Sequence, residues 1–221
     1  MFRGAWNIAK QVLTGRMQPV YARYLLMNKL RGIDLMGVQS AAANVNDCTD
    51  SGGPYLESIL RKLPIGSDDA IVDLGCGKAG AVMTLAKFFR RVDGVEIMPE
   101  LAKAAAKNIA AMNLQHKSNI LQEDAVRVSS DVGAIEKYRW VYMFNPFPEP
   151  VFRQVMRNIA DSLRRQPRNL SVIYNNPVHA GIVIAELGTP TRTEVYSVRR
   201  ASTEPGEHEH RTLQIFYYTG E

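Results

Sequence analysis

Acidic residues and glycines occur together in this chain in a pattern typical of a ligand-binding turn. Asp73 stands just before Gly75 and Gly77, and two further acids, Glu96 and Asp124, follow later. Because glycine has no Cβ, a glycine turn can curve tightly and bring its backbone close to a ligand. Carboxylates beside such a turn suit a ligand that carries hydroxyl groups or positive charge.

The glycine spacing by itself fits more than one kind of nucleotide site. Residues 75–80 match the dinucleotide fingerprint G-x-G-x-x-G, and Glu96 lies 21 residues after Gly75, where that fingerprint places an acid. Asp73 argues against a pyrophosphate at this turn, because its carboxylate would repel the phosphates. A turn that only connects a strand to a helix is the alternative without a ligand.

A Walker-type phosphate loop is excluded by residue types. Val72 stands where the first glycine of that loop belongs, and Ala79 follows Lys78 where Ser or Thr is required. A nucleoside with a sulfonium and an amino group fits better, since Asp73 would attract its positive charge. Glu96 then suits the ribose hydroxyls, and Asp124 suits the exocyclic amine of adenine.

The elements around these residues alternate between strand and helix. Apolar stretches predict strands over 70–74, 92–97, 119–122, 140–144 and 170–174. Helical patterns predict helices over 55–63, 81–89, 100–112, 149–165 and up to 187, with a short helix over 131–138. Such alternation predicts right-handed parallel crossovers and a sheet covered on both faces. Two final strands, 193–201 and 211–219, have only a turn between them and predict an antiparallel hairpin.

The predicted fold class is therefore α/β and Rossmann-like, with a mostly parallel seven-stranded sheet, helices on both faces and a C-terminal antiparallel hairpin. In such sheets ligands bind beyond the carboxyl ends of the strands. Asp73, Glu96 and Asp124 stand at the ends of three successive predicted strands. We expect them to line one site.

Three motifs resemble, in order and spacing, the cofactor motifs of class I S-adenosylmethionine-dependent methyltransferases: IVDLGCGKAG, VDGVEI and QEDA. The resemblance covers roughly residues 50–219 and implies that fold, S-adenosylmethionine as the cofactor, and Asp73, Gly75, Gly77, Glu96 and Asp124 as cofactor-binding residues. DLGCGK, VYMFNPF and PRNLSVIYNNPVH are similar, more narrowly, to a family of small, largely uncharacterised bacterial methyltransferases. In that family glycine and arginine follow the lysine, whereas this chain has Ala79 and Gly80.

The candidate reacting residues follow the fourth predicted strand. Asn145, Pro146 and Phe147 resemble the Asn-Pro-Pro-aromatic motif of amino methyltransferases, in which amide and carbonyl oxygens accept hydrogen bonds from the target amine. Phe147 takes the place of the second proline and Pro148 that of the aromatic residue. Acceptors of this kind orient an N–H nucleophile, whereas a hydroxyl usually needs a general base. An amine acceptor is favoured over a hydroxyl; a simple turn is the alternative for Asn145.

Two histidine-containing stretches allow further hypotheses. In residues 174–179, His179 could act as a base, while Asn176 and Pro177 more simply predict the cap and first turn of the next helix. The sequence EHEH at 207–210 places two histidines on one face of a strand. A solvated hairpin turn is favoured there over a metal site, and no metal is predicted.

The N-terminal part differs in charge from the rest. Six basic residues and no acid occur in the first 33 residues, within a chain of net charge +5, and helical spacing breaks near Pro19. We divide the chain into a basic helical appendage or lid (1–50) and a methyltransferase domain (51–221). A lid or a packed appendage is favoured, a membrane-surface contact comes next, and nucleic acid is the least favoured partner.

Composition gives no sign of export or membrane insertion. Only two cysteines occur, and no apolar run is long enough to span a bilayer. These features predict a cytoplasmic enzyme that methylates an amine nitrogen of a protein side chain or small molecule. The alternatives are an O-methyltransferase acting on a small molecule and a non-catalytic cofactor-binding module. A nicotinamide oxidoreductase is disfavoured by Asp73.

Overall fold

The structure is a computed structural model that describes residues 10–14, 17–35, 50–201 and 208–220. Its strands are β1 (Ala70–Leu74), β2 (Arg91–Glu96), β3 (Ser118–Gln122), β4 (Trp140–Phe144), β5 (Leu170–Asn175), β6 (Arg192–Ala201) and β7 (His208–Tyr218). Its helices are α1 (Pro19–Leu30), α2 (Pro54–Leu60), α3 (Gly80–Leu85), α4 (Pro99–Ala111), α5 (Ala125–Ser130), α6 (Glu149–Arg165) and α7 (Ala180–Leu187).

The strands form one seven-stranded sheet in the order β3-β2-β1-β4-β5-β7-β6. Strands β1 to β5 pair in parallel, and β7 pairs antiparallel with both β5 and β6. The strand order reverses between β1 and β4, so the carboxyl ends of these strands flank the crevice where ligands of such sheets bind. The predicted fold class is confirmed.

Most predicted elements lie within a few residues of the observed ones. The helix expected over 131–138 is wrong: the helix instead spans Ala125–Ser130, and 131–138 consists of turns. Its start is fixed by Asp124, whose carboxylate accepts a hydrogen bond of 2.8 Å from the Val126 backbone N–H. From the sequence, Asp124 was predicted only to bind the ligand, and its role as the N-cap of this helix was not predicted.

Two apolar layers cover the sheet. One layer contains α2, α3 and α4 with buried residues such as Leu60, Val82 and Ile109. The other contains α5, α6 and α7, where Phe152 and Val155 are fully buried. The sheet is thus held on both faces, which fixes the strand ends that carry the candidate site.

Helix α1 is joined to the first of these layers. It begins at Pro19, where the sequence predicted a break, and Tyr24 packs so closely that a Cβ on Gly53 would lie 3.0 Å from its ring. Ile33 and Leu35, just after the helix, are buried in the same layer. Helix α1 and the residues up to Leu35 therefore pack onto the sheet-covering helices, and residues 36–49 lie outside the described residues.

A buried hydroxyl ties β2 to the segment that leads into β4. Tyr138 donates a hydrogen bond of 2.6 Å to the carboxylate of Asp93, which is 2% exposed. Arg91 and the Asn119 backbone N–H also donate to this carboxylate. Hydrogen bonds to charged groups contribute about 1.5–3 kcal/mol.

Tyr138→Phe should therefore lower the free energy of unfolding by about 1–3 kcal/mol, because a buried carboxylate loses a donor. Urea denaturation at neutral pH measures the change. The matched control is Tyr218→Phe, which removes a buried hydroxyl that has no hydrogen-bond partner among the described residues. We expect that control to be neutral or slightly stabilising. Equal losses in both variants would contradict a contribution from the Asp93 contact.

Candidate functional site

The turn after β1 has the backbone shape that its glycines were expected to provide. Gly75 and Gly77 have φ of 83° and 52°, and Ala79 has φ of 66°. The backbone N–H groups of Gly75 and Cys76 both donate to the carbonyl oxygen of Val95, at 2.9 and 3.0 Å. The turn is thus attached to the neighbouring strand β2, and it begins helix α3 at Gly80.

The loop after β4 packs directly against this turn. A Cβ on Gly75 would lie 2.3 Å from the Cβ of Pro146, a distance that real Cβ atoms do not reach. Gly75 is therefore required by this contact as well as by its positive φ. The contact brings the candidate reacting loop and the candidate cofactor turn to the same place.

The residues just before α2 pack on the other side of the turn. A Cβ on Gly80 would lie 1.9 Å from Oδ1 of Asp50, and a Cβ on Gly52 would lie 2.1 Å from the Gly80 carbonyl oxygen. The Gly53 N–H also donates a hydrogen bond of 2.8 Å to the Thr84 hydroxyl. These contacts leave no room for a side chain at residue 80.

Glu96 connects two backbone segments at the end of β2. Its carboxylate accepts hydrogen bonds of 2.9 Å from the N–H groups of Gly77 and Met98, and the residue is 4% exposed. Glu96 thus supports the shape of the glycine turn in addition to lining the site. A carboxylate has further lone pairs for a ligand hydroxyl.

Asp73 is a buried carboxylate without a compensating partner. It is 2% exposed, and no hydrogen bond or ion pair to its carboxylate occurs among the residues that the structure describes. Burial and the nearby charge of Glu96 raise the pKa of Asp73 well above its ordinary value. A cation placed beside Asp73 would relieve this cost, since opposite charge favours the ionised form.

One cavity brings together most of the predicted site residues. Those that line it are Asp73, Gly75, Gly77, Glu96, Asp124, Pro146 and Phe147. Asn145 is not among the lining residues, although its neighbours Phe144 and Pro146 are. Asn145 has a positive φ of 41°, a left-handed turn conformation that asparagine adopts more readily than most residues.

Several cavity residues were missed by the sequence argument. Leu35 and Asp50 come from the part of the chain that was assigned to the appendage, and Ser51 is the first residue of the predicted domain. Ile97 and Leu101 form an apolar wall near Glu96. The small residues around Gly52 were a signal, since glycine at 52 and 80 permits the close approach of the two segments. Without the fold, nothing in the sequence paired these positions.

The expectations for residues 174–179 are corrected in part. Helix α7 begins at Ala180 with His179 as its N-cap, so the prediction of Asn176 as the cap is wrong. Asn176 instead has φ of 54° and donates its N–H to the Thr212 carbonyl oxygen. The His179 ring lies 5.5 Å from the ring of Phe152, a residue of the second apolar layer, and does not line the cavity.

The structure describes the backbone of three of the four residues in the EHEH stretch. His208–His210 lie in β7 by their backbone pairing with residues 199–201, and their side chains lie outside what the structure describes. Across the described ranges, no group of three potential metal ligands was found. None of the helices in those ranges combines the length and apolar character needed to cross a bilayer.

Comparison with known proteins agrees with this architecture. Residues 71–166 match the profile of a family described as methyltransferase domain. A search among curated proteins finds no significant match. The profile covers β1 to the end of α6, which includes the glycine turn, Glu96, Asp124 and the loop after β4.

Solved structures with a similar fold include several methyltransferases. A precorrin-6y C5,15-methyltransferase from Geobacter metallireducens has a TM-score of 0.58 at 14% identity, over 85% of this chain and 99% of that one. An O-methyltransferase from Thermotoga maritima has a TM-score of 0.57 at 18% identity, over 78% and 68% of the two chains. A tRNA (m1A58) methyltransferase from Aquifex aeolicus has a TM-score of 0.56 at 16% identity, over 76% and 70%.

The chain has the Rossmann-like methyltransferase fold, and S-adenosylmethionine is the cofactor that the family match indicates. The residues present fit this cofactor. Asp73 has no hydrogen-bond or ion-pair partner among the described residues, so a cationic ligand would stabilise its ionised form. Glu96 and Asp124 provide oxygen acceptors for hydroxyl and amine donors. The narrower bacterial family suggested by the sequence is not decided by these matches.

Gly75→Ala should weaken cofactor binding and destabilise the fold, because the new Cβ would meet Pro146 as well as strain the backbone. Gly133→Ala is the matched control: Gly133 has the same φ of 83° and nothing within 4 Å of its added Cβ. Both variants carry about 1–2 kcal/mol of backbone strain. Thermal unfolding and calorimetric binding of S-adenosylhomocysteine measure the difference. Equal behaviour of the two variants would show that the contact with Pro146 does not matter.

Asp73 should give the ligand-free protein a characteristic pH dependence. Since its pKa is raised in the folded state, the folded protein holds an extra proton above the unfolded value of about 3.9. Folding stability from this residue is therefore lost as pH rises from about 4 towards the folded pKa. Asp73→Asn should remove this loss, so urea unfolding between pH 4 and 8 should show the variant gaining relative to wild type. Parallel stability curves would contradict the assignment.

Proposed function

We propose that this protein transfers a methyl group from S-adenosylmethionine to an amine nitrogen of a protein side chain or small molecule. The observation that carries the proposal is the contact between the Asn145-Pro146-Phe147 loop and the glycine turn, through Pro146 and Gly75. This contact puts the acceptor-binding candidates next to the residues proposed to hold the cofactor.

Methyl transfer of this kind is an in-line displacement, and the bound cofactor supplies the electrophilic methyl group. The protein has to hold the acceptor with its lone pair directed at that group. In our proposal the Asn145 side-chain oxygen and the Pro146 carbonyl oxygen accept hydrogen bonds from the amine. Phe147 is buried and lines the cavity, so its ring packs beside the acceptor.

The acidic cavity lining disfavours an anionic acceptor. Asp73, Glu96, Glu123 and Asp124 all line it, and a neutral hydrogen-bond donor fits such a surface better than an anion does. The preference for an amine over a hydroxyl comes from the acceptor oxygens proposed at Asn145 and Pro146. The structural neighbours include an O-methyltransferase and a tRNA methyltransferase. Hydroxyl and RNA acceptors are therefore the alternatives that the assay has to include.

For the N-terminal part we propose a lid or wall beside the acceptor. Leu35 and Asp50 line the cavity, and Tyr21 of α1 donates a hydrogen bond of 2.8 Å to Asp50. The outer side of α1 exposes Met27 and Leu30 at 43% and 67%. This exposed apolar surface next to basic residues is what keeps a membrane-surface contact as the second proposal for this segment.

The direct test is incubation of the protein with S-adenosylmethionine labelled in its methyl group and a cell extract separated into protein, RNA and small-molecule fractions. We expect label in protein or small molecules, on nitrogen, as identified by mass spectrometry of the labelled product. Label in the RNA fraction, or in methyl ethers or methyl esters, would contradict the amine proposal. Cofactor binding with no transfer to any fraction would favour the non-catalytic alternative.

Asn145→Gly separates the two roles of this residue. Glycine keeps the positive φ without strain but removes the amide, so binding of S-adenosylhomocysteine should change only a few-fold. The single-turnover rate of methyl transfer should fall by about 100-fold, since misplacement of a reactant has costs of that order. Asn113→Gly is the control, because Asn113 has φ of 54° after α4. A near wild-type rate in Asn145→Gly would reduce Asn145 to a turn residue.

A further inference from the structure

We propose that Asp50, which precedes the methyltransferase domain as the sequence divides it, joins Asp73 in binding the ammonium group of the cofactor's methionine portion. The N-terminal segment would then be part of the cofactor site. This inference rests on the cofactor of the proposed function and is independent of the acceptor.

Asp50 is built into the cavity wall. It lines the cavity, and its Oδ1 lies so close to Gly80 that any side chain at residue 80 would collide with it. Its Oδ1 accepts a hydrogen bond of 2.9 Å from the Gly52 N–H, and its Oδ2 accepts one of 2.8 Å from the Tyr21 hydroxyl. These contacts orient the carboxylate from both sides.

Asp50 and Asp73 act on the same part of the cavity. The hydroxyl of Tyr142 lies between β1 and the N-terminal segment, since Tyr142 pairs with Asp73 across the strands and its hydroxyl lies 3.5 Å from the Ser51 carbonyl oxygen. Burial, then the charge of Asp73 and finally that of Asp50 raise the pKa of Tyr142. Both carboxylates therefore act on the Tyr142 hydroxyl and line the same cavity.

Among the described residues, the cavity lining offers Asp73 no cation. Lys78 is the basic residue among those that line it, and it already pairs with Asp34 at 2.7 Å. Asp73 has no donor among the described residues and is almost fully buried. An ammonium group between Asp73 and Asp50 would relieve the cost of burying Asp73, because an opposite charge stabilises the ionised carboxylate.

The positions along the sheet edge indicate which cation this is. Asp124 follows β3, Glu96 ends β2, Asp73 lies in β1, and Asp50 covers the start of α3. A cofactor whose adenosine binds at Asp124 and Glu96 extends its methionine portion towards the other end of this row. The ammonium group is the hydrogen-bonding cation of that portion, and Asp50 is the last acid in its direction.

The test compares two ligands by calorimetry. S-adenosylhomocysteine carries the amino-acid portion, and methylthioadenosine has the same nucleoside without it. Asp50→Asn should weaken S-adenosylhomocysteine binding by about 10- to 100-fold, as expected for a lost charged hydrogen bond. It should leave methylthioadenosine binding within about two-fold, since the nucleoside contacts are unchanged. Asp68→Asn is the control, because it removes an exposed carboxylate, paired with Arg90, at a residue outside the cavity lining.

Tyr21→Phe provides a second variant that keeps the charge. It removes one of the two donors that orient Asp50, so it should weaken S-adenosylhomocysteine binding several-fold and leave methylthioadenosine unaffected. Equal weakening of both ligands in Asp50→Asn would mean that Asp50 only supports the turn, and unchanged binding of both would also overturn the inference. Binding of S-adenosylhomocysteine to the wild-type protein tests the cofactor by itself. A failure of the Asp50 inference can therefore be distinguished from a failure of the proposed function.

Discussion

Three segments of the chain pack closely together at the turn after β1, and each contact has a glycine on one side. Pro146 lies on Gly75, Asp50 lies on Gly80, and Gly52 lies on the Gly80 carbonyl group. Each contact is possible only because the residue on one side has no Cβ. The loop after β4, the segment before α2 and the start of α3 are consequently fixed relative to one another. The shape of the cavity follows from this packing.

The same packing buries the carboxylates of Asp73 and Glu96, although ionisable groups are rare in the core of a globular protein. Burying an ionised carboxylate without a partner is costly, and Asp73 meets that cost by a raised pKa while Glu96 is held by two backbone N–H groups. The two acids thus solve the same problem differently. Glu96 has a structural role even without ligand, whereas the described residues provide Asp73 with no compensating charge. This difference makes Asp73 the sharper indicator of a cationic ligand.

Local signals in the sequence were sufficient for the sheet and for the acids at its strand ends. The apolar stretch 70–74 predicted β1 to the residue, because a buried parallel strand is a continuous apolar run that stops at a turn. The helix misplaced to 131–138 failed for the opposite reason: its start depends on the Asp124 cap, and a short helix of six residues has little periodicity to recognise. Asp50 and Leu35 could not be found locally, since only the tertiary contacts with Gly80 and α1 bring them to the cavity.

Residue 80 illustrates how such a contact changes the interpretation of a motif. In the sequence, Gly80 is the last glycine of a G-x-G-x-x-G spacing, which by itself fits a simple strand-to-helix turn. In the structure that glycine makes room for an acid from the N-terminal segment. Asp50 thus reaches the cavity by a tertiary contact that the motif does not reveal. Asp50 adds to the acids of the described lining, in which Lys78 is the basic residue, and such a lining suits ligands that carry positive charge.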